Sequence, residues 1–574
     1  MAASFPRIIL FAFLGLFLLP AAKAQSFVWA QAINGIGAPN GTGVIAGTTD
    51  TSGNLYTVGG FGGTASFAGV SLTAVSNLDM FIMKQDPAGN PIWVKQVKGI
   101  SSGGAGCYPR AIDVDEVGNV FVTGAFRDSF DFDPGPAEYR LNAFETIHAF
   151  ILKLDTVGNF IWAKDIGAQT TAVTIGIGAA ERDKDGFLYF AATASGNGTA
   201  TLDMDPGPGV YNIFPNYGDL LLGKLDADGS FIWAKQITGD KVKSPMSLVL
   251  DSSSNVFVSG AFTGSADFDP GPGVHTLSAM PPSFVGDRDI FVAKYDSAGN
   301  LGWAHSFGSP GDDAAIRGAV DRFGNFLITG SFGGTIDFDP GPGVYNLTAA
   351  STRSLFTLKL KNNGDFAWVK MGGSSSGSYS GVDVTTDSAG NVYTAMEING
   401  GCDLDPGPGE YNVLSGAAVQ KLDSAGNFVW GAGFGADAPR WMGLDNKDSV
   451  YICGDFSGSK DFDPGPGVYM LTATGLRSGF ILKLNQTLLP NSIEEAGLQT
   501  AVSVYPNPSS GIVTFSAPVT IKHIEVADVT GKVVYRSEPG TEKAMADLSG
   551  RAAGVYFYEV NCDAGRQKGK LVIY

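Results

Sequence analysis

The sequence predicts an all-β chain whose larger part is one seven-fold repeat, and three observations carry that reading. Seven tryptophans, Trp29, Trp93, Trp162, Trp233, Trp303, Trp368 and Trp430, stand at gaps of 64, 69, 71, 70, 65 and 62 residues. A fixed period of this kind marks a repeat architecture. Hydrophobic residues make up 44% of the chain and charged residues only 16%, with 79 glycines, which suits short strands joined by Gly-rich turns and argues against disorder. Within each period, strand-like stretches are separated by turns built on Asn and Gly, residues that accept the positive φ tight hairpins require.

Residues 1–24 read as a secretory signal. Arg7 gives a basic start, Ile8 to Leu19 is an apolar run, and Ala22-Lys23-Ala24 is a small-x-small cleavage site that leaves Gln25 first. The run is shorter than the about 20 apolar residues a bilayer needs, and no other transmembrane candidate follows. The mature chain is expected to be soluble and exported.

The fourth unit shows the repeat in full. A turn at Asp251–Asn255 precedes the strand Val256–Phe262, and an insertion runs from Ser265 to Leu277. The strand Asp289–Asp296, the turn Ser297–Asn300 and the strand Leu301–His305 complete the unit. A lysine recurs before the second turn, at Lys84, Lys153, Lys224, Lys294, Lys359, Lys421 and Lys483, and reads as a solvated strand position. Four antiparallel strands per unit make a propeller blade; the inserted hairpin explains a period above the roughly 40–50 residues of ordinary blades. The chain begins on an outer strand, Phe27–Gln31, and the last unit stops at Ile481–Leu484 without one. A ring explains this offset, because the N-terminal strand then completes the last blade and removes both edges. Residues 26–486 are therefore expected to form a seven-bladed β-propeller.

This region resembles the bacterial β-propeller repeats of seven-bladed arrangement, through a Lys-x-Asp-x-x-Gly-Asn-x-x-Trp pattern such as Lys153 to Trp162. The resemblance implies a fold and hardly any activity.

Six units carry an Asp-x-Asp-Pro-Gly insertion. Its paired aspartates are Asp131 and Asp133, Asp203 and Asp205, Asp267 and Asp269, Asp337 and Asp339, Asp403 and Asp405, and Asp461 and Asp463. In an extended segment both carboxylates share one face and the apolar residue between them takes the other. The pairs read first as turn caps. The competing reading is a Ca²⁺ site, although calcium takes six to eight oxygens and two aspartates fall short. The first unit has Ala65-Ser-Phe-Ala68 instead, so a blade is built there without the pair.

No catalytic or cofactor motif stands out. The four histidines, His148, His275, His305 and His523, do not recur across units. Glycosidase carboxylates are defined by a spatial separation of about 5 to 9 Å that a sequence does not give. The periodic tryptophans read as core anchors between blades. Trp441 breaks the period in a loop-like stretch and is singled out as a recognition residue, with extra packing as the plainer reading. Cys402 and Cys453 stand in adjacent units where an interblade disulfide is one option; Cys107 and Cys562 read as buried thiols. The net charge of −18 excludes nucleic acid as a natural partner and favours attraction of cations.

Residues 487–500 lose the repeat and read as a linker, and 501–574 form a second, alternating domain, expected to be a small Ig-like β-sandwich. Val504-Tyr-Pro-Asn-Pro508, Val526 to Val534, Leu548-Ser-Gly550, Gly554-Val-Tyr-Phe557 and Lys568 to Tyr574 resemble the C-terminal sorting domain of the type IX secretion system of Gram-negative bacteria. Pro506, Asn507, Pro508, Gly531, Gly554, Tyr556 and Lys570 carry that match. The resemblance implies the secretion machinery as partner, delivery across the outer membrane, and removal of the domain by a cut between Asn491 and Leu498.

The functional expectation is a non-enzymatic surface or secreted propeller that binds or adheres to a glycan or protein. The alternatives are a secreted hydrolase or lyase working in the central funnel, and a structural surface protein stabilised by calcium. Ionisable residues with displaced pKa at the funnel would favour the enzyme.

Overall fold

The computed structural model describes residues 26–36, 42–101, 106–168, 170–281, 287–373, 377–414, 416–486, 502–505, 509–528, 532–563 and 565–573. The signal segment, the linker and the sorting residues Pro506, Asn507, Pro508 and Gly531 lie outside them. The chain divides into two compact units, one spanning Lys23–Thr487 and one taking in the residues from Leu488 onward.

In the first unit, Lys243–Leu250, Val256–Phe262, Asp289–Tyr295 and Leu301–Phe307 pair antiparallel in that order. The same order recurs in six further four-strand sets, giving seven among the described residues, the first two joined where Lys98 and Gly99 pair with Asp131 and Phe130. The seventh is completed by Ser26–Ile36, which pairs with Ser478–Asn485 and sets Trp29 opposite Lys483. The innermost strands pack in a cycle, Ala438–Leu444 lying against Thr42–Thr49, so the sheets close into a ring.

The second strand of a sheet is rich in β-branched and aromatic residues. Every residue of Leu55–Phe61, Val256–Phe262, Phe326–Phe332 and Val450–Phe456 is buried, because neighbouring sheets cover both of its faces. The turn that precedes it is held by an aspartate. Asp251 Oδ1 accepts the N–H groups of Ser253 (2.9 Å) and Asn255 (3.0 Å), and Oδ2 accepts the Asn255 amide (2.8 Å), so the side chain replaces ladder bonds the turn cannot make.

The recurring lysines overturn the expectation of a solvated position. Lys359 lies 2.8 Å from Asp321, Lys421 3.1 Å from Asp387 and Lys483 3.4 Å from Asp445, with all six side chains less than a tenth exposed. Lys84 and Lys294 approach Asp50 and Asp251 at 3.9 Å. Their ammonium groups also sit over the rings of Tyr56, Phe257, Tyr393 and Tyr451. Strand alternation points each lysine off the sheet, where the next blade lies, and the turn aspartate supplies the counter-charge to these five; Lys153 instead donates to the Ala227 carbonyl and Lys224 sits over the Tyr189 ring. The tryptophans are mostly half-buried and bridge blades: Trp29 donates to Pro87 O (3.2 Å), Trp93 to Thr156 O (3.3 Å) and Trp303 to Asn362 O (3.0 Å). Cys402 and Cys453 form no disulfide; all four cysteines are free and buried.

In the second unit the long strand Ile512–Asp528 changes partners along its length. Its first half pairs with Ser503–Tyr505 and Thr541–Asp547, its second half with Val533–Ser537 and Gly554–Cys562, across a register shift between Ser516 and Ile521. Gly565–Ile573 adds to Gly554–Cys562, and Val513, Phe515, Ile524, Val526, Val560 and Leu571 are the fully buried core.

Candidate functional site

Each innermost strand carries one extra residue opposite its neighbour: Ile45, Arg110, Gly178, Met246, Ile316, Val382 and Arg440. Such a bulge kinks the strand and re-aims its side chains. These residues surround the ring axis, and two consecutive cavities occupy it. One, of about 430 Å³, is lined by residues from all seven innermost strands, among them Asp113, Glu181, Asp383 and Trp441. The other, of about 520 Å³, is lined by the bulge residues Arg110 and Arg440 and by Arg317, one residue beyond its bulge.

The lining breaks the repeat. One residue beyond the bulge the blades carry Ala46, Ala111, Ala179, Ser247, Arg317, Asp383 and Trp441; two further on they carry Thr48, Asp113, Glu181, Val249, Ala319, Thr385 and Gly443. Asp383 accepts the Met442 N–H (2.8 Å) and the Val384 N–H (2.9 Å). Burial pushes its carboxyl up to about 6 against the opposing pull of Arg317. Glu181 accepts the Leu250 N–H at 3.2 Å, and burial, then the Asp113 charge, push its carboxyl up to about 8. Asp113 is also raised by burial, with Arg182 at 3.8 Å acting the other way. At neutral pH Glu181 therefore keeps its proton, beside Asp113, a second carboxyl that burial also raises.

Trp441 lies on the strand Ala438–Leu444 and not in a loop. Its half-buried ring lines the channel and rests on Gly47, where an added Cβ would come within 2.7 Å of it.

The paired aspartates lie on the hairpins, and the two members of a pair do different work. Asp203 Oδ1 accepts the N–H of Asp205 (3.0 Å) and of Tyr211 (2.8 Å), tying the hairpin's two arms together. Asp131, Asp267, Asp337, Asp403 and Asp461 make the same two bonds in their own hairpins. The second member caps the Pro-Gly turn. Asp133 Oδ1 accepts the N–H of Gly135 (2.7 Å), Asp205 that of Gly207 (2.7 Å) and Asp269 that of Gly271 (2.7 Å). Asp339 takes Gly341 (2.8 Å), Asp405 takes Gly407 (2.7 Å) and Asp463 takes Gly465 (2.7 Å).

These twelve residues are the ones the sequence offered as calcium ligands. In Asp133, Asp205, Asp269, Asp339, Asp405 and Asp463, as in their partners Asp131, Asp203, Asp267, Asp337, Asp403 and Asp461, one carboxylate oxygen accepts backbone N–H groups. Among the described residues no three His, Cys, Asp or Glu side chains gather around a common point that would hold a metal ion. The turn explains these bonds: a Pro-Gly corner leaves N–H groups without ladder partners, and the nearest carboxylate takes them. The residue between each pair, Phe132, Met204, Phe268, Phe338, Leu404 or Phe462, is fully buried, as the alternation predicts. The first hairpin needs no such tie, because Ala68 (φ 47°) and Gly69 (φ 99°) turn it in two residues.

His148 is buried with its ring nitrogens on Asp165 (3.0 Å) and the Ala168 carbonyl (3.1 Å), and His305 stacks on Trp303. In the second unit Tyr556 is buried and donates to Ala552 O (2.7 Å). Gly554 and Lys570 lie on its last strand pair, where Phe557 faces Lys570.

Sequence reasoning missed Arg110, Asp113, Glu181, Arg317, Asp383 and Arg440. The signal was present: counting back from the turn aspartates Asp50, Asp115, Asp183, Asp251, Asp321, Asp387 and Asp445, the bulge is always the fifth residue. Aligned in this way, the charged departures stand out.

Several known proteins share features with this chain. A WD repeat-containing protein of Acanthamoeba polyphaga mimivirus, itself uncharacterised, is 28% identical over 216 residues, which is 36% of this chain and 14% of that protein's length. Among solved structures, the Dos1 propeller is similar over 80% of this chain and 95% of its own, at 7% identity and a TM-score of 0.37. PorZ, a surface component of the type-IX secretion system of Porphyromonas gingivalis, is similar over 92% and 81%, at 12% identity and a TM-score of 0.23. Among the described residues no helix is long and apolar enough to cross a membrane. Residues 503–574 match the family described as a secretion system C-terminal sorting domain. The chain thus joins a propeller-like body of closed sheets to a type IX secretion system sorting domain, the domain that engages the secretion machinery, and it is exported by that route to the cell surface or the medium.

Proposed function

We propose that the exported body is a binding protein that takes its ligand, a glycan or a protein segment, into the axial channel. One observation carries this reading: the channel-lining positions abandon the repeat while the turn aspartates, lysines and tryptophans keep it. Side chains that vary where the fold does not demand them are the ones left to recognise something. Glycan-array and surface-protein capture by the mature chain tests it. Ala111→Phe, which narrows the channel at a lining position, is expected to abolish capture with the melting temperature unchanged. Capture that survives in this variant would move the site off the axis.

A second reading, a hydrolase or lyase in the same channel, is favoured by Glu181 beside Asp113. A carboxyl held at about 8 is a proton donor at neutral pH, and a second carboxyl beside it is the partner such chemistry requires. Product release from a captured oligosaccharide, lost in Glu181→Gln, would support it; capture without turnover in the parent protein would remove it.

A further inference from the structure

We infer that the bulge stretch of the channel is an oxyanion subsite, and that the ligand is a carbohydrate bearing carboxylate or sulfate groups. The inference rests on the binding reading above. At the bulge position five blades carry Ile45, Gly178, Met246, Ile316 and Val382, and two carry Arg110 and Arg440. One residue on, Arg317 stands where three blades have alanine. The fold therefore asks for a guanidinium at neither position, yet three line one cavity.

Their partners differ. Arg317 donates to the Met246 carbonyl at 2.6 Å and Arg440 to Asp455 at 3.2 Å. Arg110, exposed to the channel, has no hydrogen-bond or ion-pair partner among the described residues. Arg477 joins Arg110, Arg440 and Asp455 around an adjoining cavity, and Asp383 faces Arg317 from the next strand. Three guanidinium groups thus line one cavity whose lining holds no carboxylate among the described residues, in a protein of net charge −18. Inside the channel, away from bulk water, Arg110 is less well solvated, and this together with the like charges of Arg317 and Arg440 lowers its proton affinity, a cost that a bound anion would relieve. A carboxylate or sulfate group offers the paired acceptor oxygens that the Arg110 fork lacks.

The neighbouring stretch selects the rest of the ligand. Asp113, Asp383, Thr48 and Thr385 offer oxygens to a hydroxyl-rich molecule, and Trp441 offers an aromatic surface beside them. An anionic sugar chain satisfies both stretches at once.

The test is isothermal titration of the full mature chain with oligoglucuronate, a neutral gluco-oligosaccharide of equal length and an oligoglutamate peptide, with inorganic sulfate as competitor. Arg110→Gln leaves no partner unpaired, and Arg110→Lys retains the charge. The expected result is saturable oligoglucuronate binding, displaced by sulfate and weakened about tenfold in Arg110→Gln, with Arg110→Lys intermediate. Affinity unchanged in Arg110→Gln, preference for the peptide, or no saturable binding of oligoglucuronate or sulfate would each overturn the inference. Equal binding of the neutral oligosaccharide, abolished by Ala111→Phe, would leave the binding reading standing while the oxyanion subsite falls.

Discussion

Lys243 Nζ stands 3.0 Å from Asp219 Oδ1, with both side chains sealed from water. The lysine belongs to the innermost strand of one blade and the aspartate to the third strand of the blade before it. Asp219 Oδ2 also accepts the Gln236 amide (2.8 Å) and the Asn216 N–H (3.0 Å), so the carboxylate is fully engaged in the seam between two sheets.

Removing one partner of this pair leaves a buried charge uncompensated. Lys243→Met is expected to cost about 3–5 kcal/mol in urea unfolding, whereas replacing both residues by apolar ones of similar volume recovers most of the loss. A single substitution that costs under ~1 kcal/mol would mean that water reaches the seam.

Glu181 gives a pH signature of known sign. Its folded carboxyl is raised from the ordinary 4.5 to about 8, so the folded state holds its proton more tightly than the unfolded chain. This contribution to stability is fully present below 4.5 and is lost as pH rises through 8. Thermal melts across this range should fall more steeply for the parent protein than for Glu181→Gln, and parallel curves would contradict the assignment.

The hairpin aspartates separate a tie from a cation site. Asp203→Asn keeps the acceptor for Asp205 and Tyr211 and is expected to melt close to the parent protein. Asp203→Ala loses both bonds and about 1 kcal/mol. If the pairs hold calcium instead, millimolar Ca²⁺ will raise the parent melting temperature and Asp203→Asn will blunt that rise.

The four thiols are buried, and burial raises the pKa of each. The thiolate is the reactive form. The native protein should therefore resist a thiol-specific reagent, and the denatured protein should titrate all four cysteines without prior reduction. Only two titrating would indicate the Cys402–Cys453 bridge.

The fold was legible because repetition amplifies weak local signals. A single Gly-Asn turn or a single Trp strand says little, but their recurrence at one spacing fixes the four-strand unit, and the unpaired Phe27–Gln31 strand implies closure. The lysines were misread because sheet alternation tells which face a side chain takes and not what lies against that face. Trp441 was misread because Pro439 and Gly443 resemble loop residues, whereas the bulge at Arg440 lets a strand pass through them. The channel residues were overlooked for a different reason. A site assembled from one residue per blade has no local motif, and Asp113, Glu181 and Asp383 become neighbours only after the ring is drawn.

The pairing of Trp29 with Lys483 has a kinetic meaning. The strand Ser26–Ile36 leaves the ribosome early, yet its partner Ser478–Asn485 is made after every intervening blade. Closure is a contact of extreme sequence separation and therefore slow. Until it forms, the waiting strand has an open edge prone to pair with other chains. The ring therefore cannot lock until the last blade has been made.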